Sequence, residues 1–361
     1  MTVVHVLEPF VSGVCAAVIS ITEQLPDVKH IVVHGSRALV DTVENVRARF
    51  PRQTEFVEWK SAGREISLSR DLKALKELIA ILQPYEDADA VIHLHSSKAG
   101  FLGRVACAML GIPRVIYTPH CASFIRADIG FLKRHFFRLL ERVGGAFGGK
   151  VVGCGKSEAL LYSRLGRGAS WVSNGVRISS ASSKVPEARL VSFSGLISVQ
   201  KDPALFNELA LAFAGQPFCW IGDGPLQEKL SAENITVTGW ADVSTVNAWL
   251  DKTQIYLSAS AWEGLPFGAL EAMNRSCALL LRDVPGNRDL VVPGENGYVF
   301  GDKEEGIALL KAMLEDPEKT AAMGKKSREI VERDYSVGKM GEGYRSVYAA
   351  IREGKELEPW V

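Results

Sequence analysis

The stretch "QIYLSASAWEGLPFGALEAM", residues 254–273, changes character in its middle. Residues up to Ser260 alternate as a strand does, and Pro266 suits the opening turn of a helix, where its missing N–H costs nothing. Glu263 therefore falls in a strand-to-helix loop and Glu271 about one turn inside the helix, with Leu270, Ala272 and Met273 facing a core. A helix start offers free N–H groups and a partial positive charge, and Gly264 and Gly268 leave room for close approach to the main chain. Such a place holds a phosphate. Two carboxylates beside it make sense if the ligand is a sugar nucleotide, whose hydroxyls need acceptors. A plainer reading fits the same residues: acidic groups near a helix start complement its dipole, worth a few tenths of a kcal/mol to about 1 kcal/mol.

The same strand–helix alternation runs along the chain. Short apolar runs recur as "VVHVL", "HIVVHG", "AVIHLH", "RVIYTPH", "KVVGCG" and "SWVSNG", and a second series follows as "LVSFSGL", "FCWIGDG", "ITVTGW", "IYLSAS" and "ALLLRD". Strict alternation implies α/β architecture, with parallel sheets covered by helices on both faces. Residues 177–188, "RISSASSKVPEA", lack large apolar groups and form the best linker. Two doubly wound domains follow, 1–178 and 179–341, with a C-terminal helix over 342–361 expected to rejoin the first. Ligands of such sheets bind outside the carboxyl ends of the strands, so a cleft between the domains is the expected site.

With 361 residues, 47% of them hydrophobic, the chain has material for two ordinary cores. Its 42 basic residues balance 42 acidic ones, which removes any global field that would recruit nucleic acid. Six scattered cysteines with no C-x-x-C pair fit buried, reduced thiols of a cytoplasmic protein. The start "MTVVHVLEPF" lacks the basic and long apolar regions of a secretion signal, and no apolar run is long enough to span a membrane.

Placed in the second domain, "EGLPFGALE" resembles the paired-glutamate signature of the retaining glycosyltransferases of family four, which have the GT-B fold of two facing Rossmann-like domains. Further segments resemble that family in its order: "VSNGV" closing the first domain, "FSGLISVQKDP" opening the second, "WIGDGPLQEKL", "VTGW", and the closing helices "DPEKTAAMGKKSREIVERDYS" and "YRSVY". The resemblance implies that Glu271 accepts from the ribose hydroxyls and that Glu263 faces the donor sugar. It implies further that N–H groups around Leu265, Pro266 and Phe267 cradle the sugar and distal phosphate, and that Lys201 neutralises the departing diphosphate. Gly222 and Gly224 correspond to glycines that let main chain approach the nucleotide, and Gly13 to the glycine-rich loop after the first strand. His120 corresponds to the histidine that contacts the donor sugar, and Cys121 stands where glycine is common.

One departure concerns charge. Leu196 replaces the family's usual arginine, so Lys201 and the helix start must do more, or Arg282 or Arg288 must substitute. "IHLHSSKAGFLGR" and "IYTPHCASF" resemble members that extend lipid-linked oligosaccharides in bacterial surface polysaccharide (O-antigen or lipopolysaccharide) synthesis. This places His95, Ser96, Lys98 and Arg104 on the acceptor side. "FLKRHFFRLLERV", residues 131–143, sets Phe131, Phe136, Phe137, Leu139 and Leu140 among Lys133, Arg134, Arg138 and Arg142. A basic amphipathic helix of this kind rests on anionic lipid at the inner face of the membrane, although an ordinary surface helix shows the same pattern.

The resemblance thus implies a metal-independent retaining hexosyltransferase that moves a sugar from a nucleotide sugar, expected to be a UDP-sugar, to a polyprenyl-diphosphate-linked saccharide. A UDP-sugar epimerase of similar architecture and a non-catalytic nucleotide-sugar-binding protein are the alternatives. Asp87–Asp89 reads as a solvated turn rather than a metal motif, because it precedes its strand. "GCGKS" at 153–157 is too short for a triphosphate loop. His93 and His95 share one face of a strand, and with no third ligand evident they suit substrate lining or core packing better than zinc.

Overall fold

The computed structural model describes residues 1–36, 42–63, 65–86, 89–166, 168–179 and 190–357. Most of the linker candidate 177–188, and the first two residues of the Asp87–Asp89 turn, lie outside the described residues. The chain divides into two compact units. The first comprises Met1–Ile125, Ile129–Gly175 and Val337–Val361, and the second Arg126–Asp128 and Val176–Ser336.

The first unit contains strands β1 (Thr2–Leu7), β2 (Lys29–His34), β3 (Glu55–Glu58), β4 (Ala90–His95), β5 (Val115–Thr118), β6 (Lys150–Gly153) and β7 (Ala169–Trp171). Between them run helices α1 (Ser12–Gln24), α2 (Val43–Arg47), α3 (Leu68–Leu82), α4 (Ser97–Met109), α5 (Phe131–Ala146) and α6 (Lys156–Ser163). The strands form one parallel sheet in the order β3-β2-β1-β4-β5-β6-β7. Covered on both faces, the central strands are apolar almost throughout, which is why β1 and β4 read as continuous runs.

The second unit contains β8 (Leu190–Ser194), β9 (Phe218–Ile221), β10 (Ile235–Val237), β11 (Thr253–Ser258), β12 (Ala278–Arg282) and β13 (Gly297–Phe300). Its helices are α7 (Pro203–Leu211), α8 (Val243–Leu250), α9 (Phe267–Asn274), α10 (Pro285–Arg288), α11 (Lys303–Glu315) and α12 (Pro317–Asp334). Its parallel order is β10-β9-β8-β11-β12-β13. The last helix, α13 (Val337–Arg352), belongs to the first unit and packs on α1. There the missing side chain of Gly341 makes room for Gln24, and Arg345 pairs with Asp27 at 2.6 Å.

Each sheet has one place where the strand order reverses: between β1 and β4 in the first unit, between β8 and β11 in the second. Loops leaving neighbouring strands diverge at such points and open a crevice at the carboxyl ends. Lys201 follows β8 and Glu263 follows β11, so the fold brings both to the second of these points.

Candidate active site

Lys201 and Glu263 meet as an ion pair between Lys201 Nζ and Glu263 Oε1. Two bonds from Gln200 join the same loops: its amide donates to the Trp262 carbonyl at 3.0 Å and, more weakly, to Glu263 Oε2 at 3.4 Å. Its own carbonyl accepts from Ala261 N–H at 2.8 Å. Glu263 is therefore buried with both oxygens engaged, while the Lys201 side chain keeps 19% of its surface accessible. A diphosphate arriving here would find the ammonium already balanced by a carboxylate. It must share Lys201 with Glu263 or draw it away.

The next residue, Asp202, adopts the left-handed conformation (φ 49°) and caps α7 by accepting from Leu205 N–H. Its other oxygen pairs with Arg282 at 2.8 Å. Arg282 thus sits beside the Lys201 loop with its charge compensated. Arg288 pairs with Asp283. Leu196, where the resemblance would expect an arginine, is 46% exposed.

Helix α9 starts one residue later than the proline pattern suggested. Pro266 is the N-cap (φ −74°, ψ 121°), and no side chain caps the helix. The first N–H groups, from Phe267 and Gly268 onward, lack helical acceptors and carry the positive end of the dipole. Leu265 is buried, whereas Pro266 and Phe267 keep part of their surface. One turn in, Glu271 is half-buried, and burial pushes its carboxyl up to about 7 against the pull of Arg275. No described residue hydrogen-bonds to it. Arg275 is itself engaged by Asp251 at 3.0 Å.

Three glycines need a different account from the one their position suggested. A Cβ at Gly268 would meet Ser194 Oγ and the Tyr256 hydroxyl at 2.6 Å each, so that space seats α9 on β8 and β11. A Cβ at Gly222 (φ 147°) would lie 2.3 Å from the Gly195 carbonyl, and one at Gly224 would lie 2.4 Å from the Ile197 carbonyl. The main chain that approaches Gly222 and Gly224 is therefore the protein's own loop 195–197, which leads to Lys201. Gly195 and Ile197 N–H groups donate back to Ile221 and Asp223.

In the first unit, His120 (φ 53°) and Cys121 (φ 91°) are consecutive non-glycine residues with positive φ. Each costs of order 1–3 kcal/mol and persists only because its surroundings impose it. Cys121 thus has the backbone of a glycine position, and buried Glu158 holds the turn by accepting Cys121 N–H at 2.6 Å and Cys154 N–H at 2.8 Å. His120 bonds to His95 at 2.9 Å and is half-buried. Burial holds its imidazole down at about 3. Gly13 is exposed in the first turn of α1.

The acceptor-side residues divide sharply. Arg104 is 1% exposed, donates to Glu141 at 2.9 Å and lies over the Tyr117 ring, so it joins α4 to α5 inside the core and reaches no acceptor. Lys98 is held by Asp71 at 2.7 Å and by the Glu65 carbonyl. His95 is fully buried behind His120. Ser96 (φ 70°) precedes α4, and its hydroxyl has no partner among the described residues.

Two further histidines that the sequence reading did not single out, His5 and His30, join this group. His5 supplies the third imidazole near His93 and His95, with ligand nitrogens within 4.8 Å of one another. The ring nitrogens of all three are engaged in hydrogen bonds: His5 to His95 and His30, His95 to His120, and His93 to Tyr348 and Thr118. The signal was present in the register, which sets His5 opposite His93.

A fold of two such units is that of the GT-B glycosyltransferases. Residues 195–330 match the family described as Glycosyl transferases group 1. The chain is 24% identical over 96% of both lengths to an Escherichia coli protein named UDP-Gal:alpha-D-GlcNAc-diphosphoundecaprenol alpha-1,3-galactosyltransferase. It is 25% identical, over 86% of this chain and 89% of the other, to an uncharacterized 41.2 kDa protein of the Klebsiella pneumoniae cps region. Among solved structures, HepE of Anabaena in complex with UDP-glucose superposes with a TM-score of 0.77 at 15% identity, covering 97% of this chain and 100% of that one. These findings indicate a glycosyltransferase.

Proposed function

We propose that this glycosyltransferase is retaining and metal-independent, and that it moves a sugar from a UDP-sugar to a polyprenyl-diphosphate-linked saccharide during bacterial surface polysaccharide synthesis. The observation that carries the reading is the grouping at the carboxyl ends of β8 and β11: an ammonium, an uncapped helix start and an unpartnered carboxylate one turn along. The first two suit a diphosphate and the third suits ribose hydroxyls. The named E. coli relative acts on a UDP-sugar and a diphosphoundecaprenol-linked acceptor, which supports both classes, and HepE, crystallised with UDP-glucose, supports the donor class. In the retaining reading the leaving diphosphate takes the acceptor's proton on the same face, and the protein contributes electrostatic stabilisation of that leaving group.

The test is UDP release from a UDP-sugar, with and without a polyprenyl-diphosphate-linked saccharide, in the presence of chelator. Release that requires the acceptor, survives chelation and yields a product of unchanged anomeric configuration is the expected result. Consumption of UDP-sugar without acceptor and without UDP release would replace the proposal by the epimerase alternative.

The acceptor class also gives α5 a role. Phe137 packs against the core and Glu141 is buried, whereas Leu132 (83% exposed), Phe136, Leu139 and Val143 form an exposed apolar stripe flanked by Lys133, Arg138 and Arg142. No helix among the described residues is long and apolar enough to cross a membrane. We assign the stripe to the headgroup region of anionic lipid, where a lipid-linked acceptor resides. The protein should float with vesicles containing phosphatidylglycerol, and Lys133→Glu with Arg138→Glu should abolish flotation while leaving the fold unchanged. Flotation that persists in the charge-reversed variant removes this role.

A further inference from the structure

Four histidines of the first unit form a single file of hydrogen bonds. His120 Nε2 meets His95 Nδ1 at 2.9 Å, His95 Nε2 meets His5 Nδ1 at 3.1 Å, His5 Nε2 meets His30 Nδ1 at 3.0 Å, and His30 Nε2 meets the Leu25 carbonyl at 3.1 Å. The last contact is the only one whose direction is beyond choice, because a carbonyl oxygen only accepts. His30 must carry its proton on Nε2. A neutral ring with one nitrogen protonated has the other bare, so His30 Nδ1 accepts, and His5 must donate to it from Nε2. The same step repeats through His5 and His95. At the outer end, His120 donates from Nε2, and its Nδ1 is left with a lone pair and no partner among the described residues.

These tautomers require neutral rings. Burial lowers His30 to about 4 and His120 to about 3, and sends His5 and His95 well below the usual imidazole value. His93 does not enter the file: its ring lies tilted against His95, with centroids 3.8 Å apart, and its nitrogens bond to Tyr348 and Thr118.

We propose that His30, His5 and His95 are positioning residues which transmit the polarity of the Leu25 carbonyl to His120, fixing His120 as the Nε2–H tautomer with an accepting Nδ1 turned outward. A group placed against that nitrogen must bring a proton. A sugar hydroxyl qualifies, and a carboxylate or phosphate oxygen is refused because two lone pairs would face each other. That His120 meets the sugar rests on the proposed function; the tautomer does not.

The experiment is a long-range 1H–15N spectrum of the ligand-free, full-length protein with 15N-labelled histidine, near neutral pH. Protonated and bare ring nitrogens resonate far apart, so each tautomer is read directly. The expected pattern is Nε2–H in His30, His5, His95 and His120, with His120 Nδ1 in the bare-nitrogen region. His30→Leu removes the anchor. His5 then has no acceptor at Nε2, and the file is expected to reverse or interconvert, moving the two His120 nitrogen signals toward each other or exchanging them. Nδ1–H on His120 in the unaltered protein overturns the proposal, and this measurement stands even if His30→Leu does not fold. A folded His30→Leu protein with an unchanged His120 pattern overturns it as well. Because no ligand is present, neither result depends on whether the proposed donor is right.

Discussion

Lys201→Ala is expected to slow acceptor-dependent UDP release about a hundredfold to a thousandfold, the usual cost of deleting a preorganised contact to developing charge. The ion pair with Glu263 complicates the experiment in an instructive way. Removing the lysine strands a carboxylate that is 5% exposed and retains, among the described residues, Gln200 alone as a partner. Losing one member of a buried pair is strongly destabilising, and with Lys201 partly accessible a loss of up to about 3 kcal/mol follows. A sequence-only view of Lys201 would expect the fold to be indifferent to its loss; the structure says otherwise. The double variant Lys201→Ala with Glu263→Gln separates the two effects. It relieves the stranded charge, so thermal stability should recover most of what was lost while turnover stays low. Recovery of turnover together with stability would show that Lys201 serves only to hold Glu263.

Glu271→Gln should do two opposite things. The glutamine keeps the shape and loses the charge, so the affinity for UDP-sugar, measured calorimetrically at pH 8, is expected to fall about tenfold to a hundredfold through weaker acceptance of the ribose hydroxyls. Stability should rise. The ordinary carboxyl value is 4.5, and in the fold it is raised to about 7. Below 4.5 both folded and unfolded chains are protonated there, and the group costs nothing. Between 4.5 and about 7 the unfolded chain has released the proton that the folded chain retains, so stability declines as pH rises; above about 7 the whole cost is present. Relieving it should add about 3 kcal/mol at pH 8 and nothing at pH 4. In the unaltered protein, donor affinity should increase as pH rises through 7, because hydroxyl donors favour the ionised carboxylate. A variant that binds donor as before would take Glu271 out of the site.

How much of this was readable beforehand depended on what kind of information each feature carries. The central strands announced themselves because burial on both faces demands unbroken apolar runs. Two of the edge strands, "EFVE" and "GYVF", do not: β3 has only two apolar residues between two glutamates, and β13 begins on a glycine. Lys201, Glu263 and Glu271 were legible because a motif fixes residues along the chain and the reversal of strand order brings those loops together. What the glycines make room for was not legible, for a specific reason. A sequence shows that a side chain is missing but not what fills the space, and at Gly222, Gly224 and Gly268 the protein itself fills it. Arg104 failed similarly, since residue spacing within α4 does not reveal which helix covers it. The histidine file, gathered from positions 5 to 120 by the order β2-β1-β4-β5, has no local signature at all.

The return of α13 to the first unit has a bearing on how the chain is made. Tyr344 and Tyr348, which complete the polar surroundings of Thr118 and His93, are synthesised after the entire second unit. While the ribosome is still translating, the first sheet must wait with His93 facing an empty seat, whereas residues 176–336 can close on themselves as soon as they emerge. The half that begins first thus waits on a helix made after the other half, and any surface resting on it would mature only when α13 docks.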